Sequence, residues 1–150
     1  MQVPRFEPFA ALRYAPSLPL DDVAAPPYDV LSDADVDALL GRHPRNIVAV
    51  DVPREVEGDG RYDEAARRLA AWVRDGTIVR DASPNFTLYR MRFDDEAGCE
   101  RETVGVLGGL EVVDEGAGGV LPHERTTPKA KTDRLDLTRS TATNLSPVWG

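Results

Sequence analysis

The residues best suited to chemistry lie together in residues 121–150, LPHERTTPKAKTDRLDLTRSTATNLSPVWG. Between positions 123 and 134 this stretch carries His123, Glu124, Arg125, Thr126, Thr127, Lys129, Lys131, Asp133 and Arg134. The two lysines are the only ones in the chain; every other basic residue is arginine. Such a set suits phosphoryl transfer. Cations and backbone N–H groups hold phosphate oxygens, and a carboxylate holds Mg²⁺ or accepts a hydroxyl proton. In that chemistry Glu124 or Asp133 is the base or metal ligand, and Lys129, Lys131 and Arg134 hold phosphates. His123 orients the substrate or shuttles a proton.

The spacing supports a phosphate-holding role. Thr127 followed by Pro128 reads as a helix start, because threonine caps and proline suits the first helical turn. Free N–H groups and the positive dipole end of such a helix attract anions. Lysine in a first turn opposes that dipole, so helix stability does not account for Lys129 and Lys131. No glycine-rich Walker loop precedes Lys129, which excludes a P-loop. A structural reading stands beside this one: Lys129 and Asp133, four apart, suit a surface ion pair, and His123 suits a structural histidine.

Two further places bear weighing. Ala24–Ser32 (AAPPYDVLS) sets a Pro-Pro-Tyr-Asp turn before a helix cap. It suits either a substrate loop presenting Tyr28 and Asp29 or a rigid structural turn. Asn46, beside Arg45, suits either the edge of a cleft or loop capping. Cys99 has no base nearby in sequence and reads as incidental. As the only cysteine, it also excludes an internal disulfide and a cysteine-based zinc site.

The whole chain must be compatible with such a site. It has 150 residues and 16.4 kDa, enough for one domain with its own core. Apolar residues are 41% and charged residues 29%, a globular composition. The net charge of −8 argues against a chain-wide nucleic-acid surface. That charge is uneven: residues 121–150 hold five basic and three acidic residues, and the rest hold 13 and 23. The basic end is where an anionic ligand would go. No apolar run is long enough to span a membrane, and the start lacks signal-peptide features, so a cytoplasmic location is expected.

The positioning elements follow from periodicity and turn chemistry. Residues 1–30, rich in proline, predict an extended lead-in with a short strand near Phe9–Tyr14. Ser32 and Asp35 stand in capping-box spacing before Val36, Leu39 and Leu40, with Gly41 as the C′ residue. Asn46–Val52 (NIVAVDV) reads as a buried strand. Tyr62, Ala65, Ala66, Leu69, Trp72 and Val73 mark one face of a second helix ending at Gly76, with Trp72 as a core anchor. Thr77–Arg80 reads as a short strand. Phe86–Phe93 and Arg101–Val113 read as strands paired across an Asp94–Gly98 turn, the second weakened by Gly105, Gly108 and Gly109.

Five segments in order carry a resemblance: VAAPPYDVLS (23–32), HPRNIVAVDVP (43–53), YDEAARRLAAWVRDGTIVRDASPNFTLYR (62–90), HERTTPKAKTDRLDL (123–137) and NLSPVWG (144–150). Together they resemble the N-terminal part of domain-of-unknown-function family 1015. The resemblance implies a relation to the ParB/sulfiredoxin superfamily, which includes nucleotide-dependent enzymes and an archaeal free-serine kinase. It carries His123, Glu124, Arg125 and Thr126 over as one motif and Lys129, Lys131, Asp133 and Arg134 as another. A later Asp-Gly-His-His-Arg motif of the family is absent from this sequence. The resemblance therefore also implies a missing C-terminal half, and Val148 and Trp149 are expected to pack against it.

The expected fold is α+β: a mixed or mostly antiparallel sheet with two or three helices, part of a larger domain. Residues 31–113 form its α/β core and 121–150 its basic motif segment. The expected function is a nucleotide-dependent phosphotransferase using ATP or ADP with Mg²⁺ on a small hydroxyl compound. The alternatives are a ParB-like nucleotide-binding or regulatory module without catalysis, and a scaffold whose active residues lie elsewhere.

Overall fold

The computed structural model describes residues 3–54, 58, 60–114, 119–120 and 128–147, without the side chains of 128–131. The chain divides into two compact units. The hairpin unit is Met1–Ala11 with Asp81–Arg125, and the helical unit is Leu12–Arg80 with Thr126–Gly150.

The helical unit opens with β2 (Leu12–Tyr14), following β1 (Phe6–Glu7) of the other unit. A single helical turn, α1 (Leu20–Val23), and a 3-10 turn over Tyr28–Val30 follow. Next is α2 (Asp33–Arg42), whose start has the expected capping box: the Asp35 N–H donates to Ser32 Oγ, and the Ser32 N–H donates back to Asp35. Gly41 does not end it. The helix runs one residue further, and His43 takes the cap position in extended backbone.

Asn46–Val52 is not a strand. It forms a tight turn leading into α3 (Val48–Asp51). The side chain of Asn46 explains the difference. Buried completely, it donates to the carbonyls of Asp22 (2.8 Å) and Ala24 (2.9 Å) and accepts from the Val48 N–H (3.0 Å). The turn is thus fixed by a cap, and Val48, Ala49 and Val50 are buried on different sides. A short run buried on every side looks the same to periodicity whether strand or helix.

The longest helix, α4 (Gly60–Arg74), buries Tyr62, Ala65, Leu69 and Trp72 as its spacing predicts. Val73, expected on that face, is exposed. Then β3 (Ile78–Arg80) pairs antiparallel with β2, and α5 (Pro128–Thr141) packs on α4. The core joins Ala49, Val50, Tyr62, Ala65, Leu69, Trp72, Ile78 and Leu137; a smaller cluster joins Val36, Leu39 and Val48.

In the hairpin unit, β4 (Thr87–Asp94) and β5 (Glu100–Leu107) pair antiparallel across the expected turn. Beyond Gly108, β6 (Gly109–Leu110) pairs with β1. Phe6 stacks on Phe86 at 5.4 Å, and a Cβ on Gly108 would lie 2.5 Å from the Phe6 ring. A larger residue there would have to push the Phe6 ring aside. The fold is α+β. Among the described residues it has three long helices, two single α-helical turns, one 3-10 turn and three two-stranded antiparallel pairings.

Candidate functional site

The sequence marks Tyr28, Asp133 and Arg134 from separate arguments, and the helical unit brings them together. The 3-10 turn after Pro26 and Pro27 presents Tyr28, whose ring covers the Arg134 guanidinium at 4.0 Å. Prolines fix the approach of that turn, so the ring is held with little freedom to lose. Arg134 lies in the second turn of α5, on the side facing the buried end of α3. Its Nη1 donates to Asp51 Oδ1 (2.8 Å) and its Nη2 to the Asp51 carbonyl (2.9 Å). Its Nε and Nη2 also donate to Asp133 Oδ2, at 3.0 and 2.6 Å.

Asp133 is shared with the start of α4. Tyr62 Oη donates to Asp133 Oδ1 at 2.8 Å, and Arg61 reaches the same oxygen at 3.4 Å. Arg61 also donates to Tyr62 Oη at 2.6 Å and lies over the Tyr62 ring at 4.6 Å. Two guanidiniums, two carboxylates and two phenols thus form one network from four places in the chain.

Charge in this network is balanced, Asp51 and Asp133 against Arg61 and Arg134. The two carboxylates nevertheless differ. Burial raises the Asp51 pKa, and the Arg134 charge and hydrogen bond oppose this only in part. Burial acts on Asp133 in the same sense, but hydrogen bonds from Arg134 and Tyr62 and the charges of Arg134 and Arg61 outweigh it, so its pKa is lowered. Burial, then the hydrogen bond to Asp133, raise the Tyr62 pKa, which keeps its hydroxyl a donor. Asp133 is therefore a firm acceptor and a poor proton-accepting base. Arg134 has each of its three nitrogens bonded to protein acceptors.

The other marked residues sit as follows. Asp29 is exposed next to Tyr28, and Asn46 is buried as the cap of the α3 turn. Arg45 pairs with Asp75 at 2.9 Å beside Trp72. Lys129 and Lys131 lie in the first turn of α5, which begins at Pro128 as the Thr-Pro step predicts. Their side chains, and His123, Glu124, Arg125, Thr126 and Thr127, lie outside the described residues, as do Val148 and Trp149. Two cavities of the helical unit are lined by none of the marked residues. A small one lies under Leu40, Ala49, Arg54, Arg61 and Arg68, and an open groove runs past Leu12, Ala66, Val73 and Ser140.

Sequence reasoning missed Asp51, Arg61 and Tyr62 as partners. Asp51 carried one signal, an acid closing an otherwise apolar run; Tyr62 was read only as core. No helix among the described residues is long and apolar enough to cross a membrane. No curated protein and no solved structure matches the chain. A family model does match, over residues 6–150, nearly the whole length, and takes in both the Pro-Pro-Tyr turn and the α5 segment it meets: the chain belongs to the family described as "Protein of unknown function (DUF1015)".

Proposed function

We propose that this chain is part of a nucleotide-dependent phosphotransferase acting on a small hydroxyl compound, with ATP or ADP and Mg²⁺. The observation that carries the reading is the cationic start of α5: Pro128 is its first residue, Lys129 and Lys131 follow within the turn, and no acid is present there. Such a turn is weakened by its own lysines and would be stabilised by an anion bound to its N–H groups. Lys129 and Lys131 hold the phosphates, joined by Arg125, Thr126 and Thr127. The substrate hydroxyl attacks the terminal phosphorus, the P–O bond to the departing nucleotide breaks, and the hydroxyl proton passes to Glu124. His123 orients the substrate, and Asp29, exposed beside Tyr28, belongs to the substrate loop. The relation to the ParB/sulfiredoxin superfamily that the sequence resemblance implies, with its free-serine kinase, would support the same chemistry.

A second reading is a nucleotide-binding or regulatory module without catalysis, or a scaffold serving residues elsewhere in a longer protein. The engagement of Asp133 and Arg134 with protein groups favours it for those two residues. The deciding experiment incubates the protein with ATP or ADP, Mg²⁺ and a panel of small hydroxyl compounds, serine included. Phosphorylated product is expected, with a loss of roughly 100-fold in Lys129→Ala/Lys131→Ala. No turnover, with nucleotide affinity unchanged in that double variant, would sink the assignment. Full turnover in the double variant would keep the enzyme and reject the site.

A further inference from the structure

We infer that Arg134 is a positioning residue that ties the Pro26-Pro27-Tyr28 turn and the end of α3 to the start of α5, making them one rigid body. The consequence for ligands rests on the phosphate-holding reading of the α5 start: a group held there and a group facing Tyr28 meet at a fixed spacing.

Three observations carry this. First, the contacts of Arg134 are divided among distant segments. Asp51 lies 83 positions away and supplies both a carboxylate and a carbonyl oxygen, and the Tyr28 ring closes the guanidinium face at 4.0 Å. Secondly, the tie is largely withdrawn from solvent. The side chains of Arg134 and Asp51 are 22% and 12% exposed, so salt screens the pair much less than an exposed one. Thirdly, the arrangement needs the shape of arginine. A planar fork donates in its plane to Asp51 and Asp133 while its face takes an aromatic ring; an ammonium group has no such face or fork. With Nε, Nη1 and Nη2 all committed to protein, Arg134 acts on a ligand through the elements it fixes.

Charge and position separate in one substitution, Arg134→Lys, which keeps the charge and loses the fork. Amide hydrogen exchange is measured on the full chain, wild type against Arg134→Lys and Tyr28→Ala. Arg134→Lys is expected to speed exchange by about ten-fold in residues 28–30, 50–52 and 132–136 together, leaving α2 protected. Tyr28→Ala, a change in a surface turn that spares the core, is expected to loosen the same three segments less. Exchange that rises in α5 alone, or equally everywhere, overturns the tie.

ATP and pyrophosphate titrations by calorimetry then test its use, scaled to folded protein. Affinity in Arg134→Lys is expected to fall about ten-fold despite the conserved charge, and Tyr28→Ala is expected to add little in that background. Affinity retained in Arg134→Lys overturns the positioning role. If wild type binds neither ligand, the phosphate-holding reading of α5 has failed, and the exchange result alone decides the tie.

Discussion

The helical unit buries Val23, Val36, Val48, Val50, Tyr62, Ala65, Leu69, Trp72, Ile78 and Leu137. The hairpin unit has comparable material in Phe6, Phe86, Leu88, Met91, Phe93, Val104 and Val106, yet every one of these is exposed. The difference is geometric. A helix collects its apolar residues on one stripe, and α4 lays that stripe against α3, α5 and β3. A strand divides its apolar residues between two faces. In the β4–β5 register Leu88 lies opposite Val106, Arg90 opposite Val104 and Arg92 opposite Glu102 on one face, while Tyr89, Met91 and Phe93 occupy the other. A two-stranded ribbon is too narrow to build a core of its own. Apolar content is thus not a measure of core, and stability in this chain concentrates where helices cross.

That contrast can be broken by substitution. Trp72→Ala should produce the largest effect, about 3–5 kcal/mol, because an almost fully buried indole leaves a cavity. Denaturant unfolding followed by far-UV circular dichroism measures it, and a loss below about 1 kcal/mol would show that the helical core is not the seat of stability. Asn46→Ala comes next, at about 2 kcal/mol, since it leaves a buried N–H and two part-buried carbonyls without their partner.

Gly108→Ala should act within the hairpin unit only, at about 1–2 kcal/mol of local stability, by pushing Phe6 off Phe86. Amide exchange should rise at residues 6–7 and 109–110 and stay unchanged in α4; loss of protection in α4 would merge the two regions. A smaller effect is expected from pH. The folded pKa of Asp133 is lowered, so its contribution is present above the ordinary carboxylate range and is lost as pH falls through the lowered value. Asp51, with its pKa raised, has the opposite sign: its contribution is present below the ordinary carboxylate range and is lost as pH rises through the raised value. Asp133→Asn should flatten the acid limb of stability against pH, and an unchanged limb would remove Asp133 from that role. Leu88→Ser, at a residue 73% exposed, should change stability by no more than about 0.5 kcal/mol; a larger loss would mean that the hairpin depends on that side chain.

Much of this could be read in the sequence where the signal was local. The Ser32–Asp35 box, the α4 stripe with Trp72, the turn at 94–98 and the Thr-Pro start of α5 are all set by neighbours within a few residues. The α3 turn was not legible, because what decides it is the Asn46 side chain reaching carbonyls 22 and 24 residues away. The same holds at the candidate site. Tyr28 and Arg134 each stood out by type and touch directly, but the group that holds Arg134 in place, Asp51, looked like one more residue of a buried strand. Val73 was misread for a different reason: helical spacing marks a stripe, and only packing tells how wide the covered part is.

The pairing of Phe6 with Leu110 has a consequence for how the chain comes together in time. Its partners are separated by residues 12–80 of the helical unit and by the β4–β5 hairpin, so closing it from an open chain carries the entropy of a loop of about 100 residues. The β4–β5 hairpin needs only a five-residue turn and can form within microseconds. Once the helical unit has condensed, the effective loop is far shorter, and β1 joins β6 as a late event. In pulse-labelling the amides of residues 6–7 should gain protection after those of 87–94, a folding order opposite to the order in which the chain is made.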